Sequence, residues 1–340
     1  MTTPIWQEPV RGVYAHPALT RMSGVEQLRG FIDGRLPLPP IGYLTGLHPT
    51  DVGLTHATFA LPLTRWLQDA TGLPMPATAA LVSDGPLGSA FHSSLPIGKF
   101  CTTSELSISY LRPAAPDSQR LIAHAAVIKA GTSTGLTEAR ITDAAGRLLA
   151  HATSRLVVQD LPIDHDAPLP DPAAPPPTPD PWQREALGEP VDWRSLATVP
   201  GREIFERWLT GDLPRPPICH LTGLRPAACD DDSVTWTMPA TAWLCSPGPF
   251  LYGGATALIA DAALTTAVMP SLPPGTAFRP LDLRLRFVRP ILPDGSDLTA
   301  VASVAHRGRS LAITRGEVRT ADGKVAILAE SSVQLRPTGS

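Results

Sequence analysis

Two aspartates stand alone in apolar surroundings: Asp84 within ALVSDGPLGSAFH (80–92) and Asp261 within ALIADAALTTAV (257–268). A carboxylate in the middle of an apolar helix is costly to bury unless it is paired or put to use. The second run follows Tyr252-Gly253-Gly254. The first N–H groups of a helix have no intrahelical partner and carry the positive end of its dipole, so they suit a developing oxyanion. Glycine there lets a carbonyl come close to the backbone. A carboxylate that activates water and a backbone donor that holds an oxyanion would together attack a carbonyl. A carboxylate exposed on a helix face, or bonded to neighbouring backbone, fits the same residues. The acid persists in both runs while its neighbours differ, which favours use.

Both runs belong to a repeat. At a shift of 177 residues, without a gap, LPLPPIGYLTGLHP (36–49) lies over LPRPPICHLTGLRP (213–226), and ALVSDGPLGSAFHSSLPIG (80–98) over ALIADAALTTAVMPSLPPG (257–275). LSISYLRPAAPD (106–117) lies over LRLRFVRPILPD (283–294), and Gly131 and Gly146 meet Gly308 and Gly323. The chain is a duplicated domain. Residues 23–158 form the first copy and 200–340 the second, after an N-terminal extension over 1–22 and with a linker over 159–199. Each copy opens with a short helix ending at glycine, GVEQLRGFIDG or GREIFERWLTG. An alternating strand follows, then a buried helix over 78–92 or 255–269. Four strand-like runs come next, 104–112, 119–130, 133–143 and 147–157 in the first copy, with turns at Asp143–Gly146 and Thr320–Gly323. One long helix followed by an antiparallel sheet predicts an α+β domain, present twice, in which the sheet wraps the helix. That is the hotdog arrangement.

The second copy resembles the phenylacetate-type (PaaI-like) branch of hotdog-fold acyl-CoA thioesterases, whose pattern is His-Gly-Gly, an acid on the helix, and a strand ending Arg-Pro. Here the pattern reads Tyr252-Gly253-Gly254, Asp261 and FVRP (287–290), with HRGRS (306–310) beyond. The resemblance implies that Gly253 gives its N–H to the thioester oxygen, that Asp261 activates water or attacks directly, and that Thr265 assists. Tyr252 replaces the family's histidine and keeps the backbone donor. Tyr252 and Gly254 would flank the substrate. Arg307 and Arg309 would contact CoA phosphates or form a solvated hairpin edge. In the first copy Met75-Pro76-Ala77 replaces the glycine motif and Gly88 replaces Thr265. Pro76 has no N–H to give, and Pro86, two residues past Asp84, should kink the helix. By resemblance each site forms between copies, so Gly253 would serve Asp84 at one site while Pro76 meets Asp261 and Thr265 at the other.

The implied activity is hydrolysis of an acyl-CoA or acyl-carrier-protein thioester without metal or separate cofactor, CoA or phosphopantetheine arriving as part of the substrate. A non-catalytic acyl-thioester-binding scaffold, or dehydration or cyclisation on the same fold, are the alternatives; the missing glycine in copy one favours them. The chain of 340 residues has a net charge of −3 and no basic block, which argues against nucleic acid or an anionic membrane as partner. Cys101, Cys219, Cys229 and Cys245 form no CxxC pair and no metal-like spacing. No GxSxG, HExxH or phosphate loop occurs. No Asp-to-His spacing suits a hotdog dehydratase. His92, His124 and His151 are scattered and read as ordinary, and Trp66 and Trp243 as matched core anchors. No signal-like start or bilayer-length apolar run is present, and reduced or incidental thiols favour a cytoplasmic setting. Eight prolines within residues 168–181 predict an extended spacer across the outside of the globule. Assembly is expected to be a monomer or a homodimer.

Overall fold

The computed structural model describes residues 3–115, 117–170 and 178–337. In the first copy the elements are α1 Gly24–Ile32, α2 Pro40–Thr45, β1 His48–Gly53, β2 His56–Pro62, α3 Thr78–His92, β3 Lys99–Tyr110, β4 Arg120–Ala130, β5 Thr134–Asp143 and β6 Leu148–Asp160. The second copy continues with α4 Gly201–Thr210, α5 Pro217–Thr222, β7 Arg225–Cys229, β8 Ser233–Pro239, α6 Gly253–Thr266, β9 Thr276–Pro280, β10 Asp282–Phe287, β11 Asp297–Arg307, β12 Leu311–Arg319 and β13 Val325–Pro337. α1 starts as its sequence asks: the Ser23 hydroxyl accepts from the Glu26 N–H while the Glu26 carboxylate accepts from the Ser23 N–H. Strand alternation is clear in β4, where Leu121, Ala123 and Ala125 face the core. The hairpin turns close at Gly146 and Gly323, both at φ +79°, where a side chain would be strained.

All strands join one antiparallel sheet in the order β1-β2-β4-β5-β6-β3-β10-β13-β12-β11-β8-β7, with β9 beside β13. The second half of that order mirrors the first. At the centre, β3 pairs with β10 so that Ser107 faces Arg284. These positions are equivalent under the 177-residue shift, so a pseudo-two-fold axis passes between them. The sheet bends at Leu281, which gives its N–H to Ser332 O and splits into β9 and β10 what is one strand, β3, in the first copy.

α3 and α6 lie against each other inside the sheet's curve and are buried nearly all round, which is why their sequences are apolar on every face. They are antiparallel, because Asp84 in mid-α3 meets the start of α6 while Asp261 in mid-α6 meets Ala77 before α3. Gly254 permits the approach: a Cβ there would stand 2.6 Å from Ala80 O and 2.9 Å from Leu81 Cα. The Tyr252 hydroxyl donates to Leu81 O at 2.9 Å and accepts from the Gly85 N–H. It thus occupies a rung of the α3 ladder, one residue before Pro86. A hydroxyl set into the ladder and a proline beside it are two named causes of helix distortion.

The flanking segments differ from the spacer expected. Of the proline run, 171–177 lies outside the described residues. Beyond it, Pro181–Gln183 turns onto the first copy: Trp182 packs at Gly46, and the buried Trp66 gives its Nε1–H to Arg184 O at 3.0 Å. The N-terminal Ile5–Gln7 does the same on the second copy, with Trp6 at Gly223 and Trp243 Nε1–H donating to Glu8 O at 3.0 Å. Trp-Gln recurs at 6–7 and 182–183. Extension and linker are therefore equivalent straps, and they meet where Arg184 grips both Glu8 oxygens at 2.7 and 2.9 Å.

Candidate active site

Two cavities flank the helix pair, one beside each aspartate. Cavity A holds about 460 Å³ and is lined by Asp84, Gly85, Gly88, Thr103, Tyr252 and Gly253, among others. Cavity B holds about 410 Å³ and is lined by Met75, Pro76, Asp69, Asp261, Thr265 and Trp208, among others. Each draws on both copies.

In cavity A the Asp84 carboxylate caps the start of α6. Its Oδ2 accepts from Gly254 N–H at 3.0 Å, and the Gly253 N–H supports it as well. Its Oδ1 accepts from the Thr103 hydroxyl on β3 at 2.9 Å. Burial pushes the Asp84 carboxyl above the usual range of 3.8, while Thr103 and the two N–H groups hold it down. A carboxyl raised by burial makes a stronger base than a solvated carboxylate. Both N–H groups support Asp84, but Gly253 lines the cavity and Gly254 does not, so a ligand would meet the first of the two residues. A Cβ at Gly88 would meet only Leu156 Cδ2, at 3.8 Å, leaving room over the acid. The nearby Cys101 thiol is pushed up to about 12, chiefly by burial, and is no nucleophile.

Cavity B repeats the frame with different chemistry. Ala77 N–H supports Asp261, and the Thr265 hydroxyl donates to its Oδ1 at 3.4 Å. Pro76 stands where Gly253 stands in cavity A and offers no proton. Burial and the neighbouring Asp69 raise Asp261 to about 7. Asp69 is itself raised by burial and accepts from the Thr71 N–H and hydroxyl at 2.8 and 2.6 Å. Its counterpart in cavity A is the neutral Ser246. A second carboxylate opposes any negative charge developing on a bound carbonyl.

Residues 80–150 and 248–327 match the model of the thioesterase superfamily, one segment in each copy. The fold of almost the whole chain recurs in a tesB protein of Mycobacterium avium subsp. paratuberculosis, at 16% identity and TM-score 0.54, covering 88% of this chain and 98% of that one. It recurs also in an acyl-CoA thioesterase II, TesB2, of Mycobacterium marinum, at 15% identity and TM-score 0.52 over 88% and 98%. A hot-dog-fold protein of unknown function from Alicyclobacillus acidocaldarius gives 15% and 0.52 over 87% and 97%. The chain is a tandem double hotdog. No curated protein sequence matches it.

Within this double hotdog the residues singled out in the sequence fall into three groups. Asp84, Gly253, Gly254 and Tyr252 come together at cavity A, and Asp261, Thr265 and Pro76 at cavity B. Gly254 differs from the role of flanking a substrate, since it spends its N–H on Asp84 and does not line the cavity; Tyr252 lines cavity A while its hydroxyl is bound into α3. Arg307 and Arg309 line neither cavity, because β11 carries them out to a hairpin where Arg307 binds Ser271 O at 2.6 Å. The cation at cavity A is instead the exposed Arg289 of the FVRP run. Thr103 and Asp69 had no signal in the sequence. Thr103 corresponds to Pro280 in the other copy, and Asp69 to Ser246, so comparison of the copies could not raise them.

Proposed function

We propose that the protein hydrolyses an acyl-CoA or acyl-carrier-protein thioester at cavity A, with Asp84 as general base and the Gly253 N–H as oxyanion donor. The observation that carries this reading is the Asp84 carboxylate lying across the copies against the N-terminal N–H groups of α6, inside a cavity. Asp84 takes a proton from water as the water oxygen attacks the thioester carbon. The carbonyl oxygen gains the negative charge beside the Gly253 N–H, at the positive end of a 14-residue helix. As the tetrahedral species collapses the C–S bond breaks, and the thiolate takes the proton from Asp84. The products are a carboxylic acid and a free thiol. Thr103, which supports the ionised acid, fills the part that Thr265 plays for Asp261.

Thioesterase-superfamily matches in both copies support hydrolysis of this class. Cavity B supports a second role, holding a ligand without turnover, because Pro76 and Asp69 remove the donor and add a charge. Release of free thiol from a panel of acyl-CoAs tests the proposal. Turnover of at least one thioester is expected, and none across short, long and aromatic acyl groups would overturn it.

A further inference from the structure

Tyr252 is held at both ends. Its backbone stands at the N-cap of α6, giving its N–H to Leu244 O at 2.8 Å and accepting the N–H groups of Ala255 and Thr256 at 3.0 and 3.1 Å. Its ring crosses to the first copy, where the hydroxyl donates to Leu81 O at 2.9 Å and accepts from the Gly85 N–H. In an unbroken α-helix the Gly85 N–H would bond Leu81 O directly. The next rung, from residue 86 to Val82 O, is lost because Pro86 has no N–H. The hydroxyl thus bridges one rung and the proline removes the next, and Asp84 lies within the turn they span. Burial, then the nearby Asp84, push the Tyr252 phenol well above its usual 10, so it stays protonated and its one proton is committed to Leu81 O.

We infer that Tyr252 is a positioning residue for hydrolysis at cavity A: its hydroxyl sets the turn of α3 that carries Asp84 against the start of α6. The inference rests on the reading of cavity A as the site of thioester hydrolysis. Asp84 must reach across the copies to the Gly254 N–H, while Gly253, the next residue after Tyr252, presents the donor. One side chain therefore ties the turn of the base to the backbone of the donor, and an error in their separation falls on the reacting atoms. Without the hydroxyl, the Gly85 N–H and Leu81 O would close on each other, tightening the turn and drawing Asp84 off the α6 N–H groups. Cavity B has no such tie. Met75 stands at the counterpart of Tyr252 and carries no hydroxyl, and Ala262 and Ala263 stand at those of Gly85 and Pro86, so no proline opens the α6 ladder there. The tie accompanies the pocket that keeps the donor glycine.

Steady-state kinetics of Tyr252→Phe in the full chain test this, on the acyl-CoA that the unaltered protein cleaves best. The change removes one oxygen and keeps the ring. It should lower kcat roughly 10²-fold, the cost of a misplaced base, and leave KM near its original value. Asp84 would stay buried but lose N–H bonds to its ionised form, so the acid limb of the pH–rate profile should move to higher pH by about one unit. On an Asp84→Asn background Tyr252→Phe should cost almost nothing further, because it acts through Asp84. Gly85→Ala, whose Cβ would stand 3.0 Å from the same hydroxyl, attacks the bridge from α3 and should give the same fall in kcat and the same shift, so the test survives if Tyr252→Phe does not fold. A raised KM with kcat kept overturns the inference, since the hydroxyl would then be meeting the ligand. So does a lower melting temperature with kcat and the acid limb unmoved, which is a structural role alone. An equal loss of rate with and without Asp84 also overturns it. If the unaltered protein cleaves no thioester, or Asp84→Asn is silent by itself, the reading of cavity A falls and takes the inference with it.

Discussion

Thr103 donates its hydroxyl to the ionised form of Asp84, and the start of α6 donates backbone N–H groups. These bonds lower the carboxyl while burial raises it. Removing one lowering bond must raise it further. A general base works only when deprotonated, so activity falls as pH drops through its pKa. In Thr103→Val the acid limb of the pH–rate profile should therefore move to higher pH by about one unit, the worth of one bond to a charged group. An unmoved limb in a folded variant would mean that Thr103 does not set the acid. The acids themselves were legible in the sequence, because a lone Asp in an apolar helix stands out against its neighbours. Thr103 was not, because a threonine in a strand is ordinary β composition, and only the fold brings β3 across Asp84.

At the scale of elements, the helix pair depends on two glycines of opposite kind. Gly254 allows the backbones to touch, since its Cβ would fall 2.6 Å from Ala80 O, a backbone atom that cannot move aside cheaply. Gly88 has room for a Cβ, which would make only ordinary contact with Leu156 at 3.8 Å. Gly254→Ala should therefore lower the melting temperature by several degrees, the overpacking cost being about 1–3 kcal/mol. Gly88→Thr should leave it nearly unchanged and could set a hydroxyl one turn past Asp84, as Thr265 stands to Asp261. Thermal unfolding of both variants checks the contrast, and equal shifts would contradict it. The helix and the strand series were visible as periodicity because both copies repeat it. The break of one strand into β9 and β10 was not, because it lies at an irregularity against β13 whose counterpart at Ser104 only shifts the β3–β6 register. The straps escaped because their repeat is displaced by one residue from the 177 shift and little beyond Trp-Gln and the pair Gly12 and Gly188 survives of it.

For the whole molecule, the copies share the β3–β10 ladder, the α3–α6 contact and straps that cross at Glu8 and Arg184. Cleavage at a protease site placed within 171–177 should leave the halves together on size exclusion at the mass of the uncut protein. Deleting 190–199 should be far more damaging, because Trp193, Leu196 and Val199 wall cavity B. Separation of the halves after clean cleavage would contradict a shared core. Duplication then gives what a symmetric dimer cannot have, two sites free to diverge. Cavity A keeps a donor and an acid, whereas cavity B has Pro76 for the donor and Asp69 as a second charge. The most direct test compares thiol release by Asp84→Asn and Asp261→Asn on whichever acyl-CoA the unaltered protein cleaves best. Asp84→Asn should lose activity about 10²–10⁴-fold, the usual cost of a general base, and Asp261→Asn should keep most of it. A crippled Asp261→Asn beside a nearly unaffected Asp84→Asn would contradict the assignment of catalysis to cavity A.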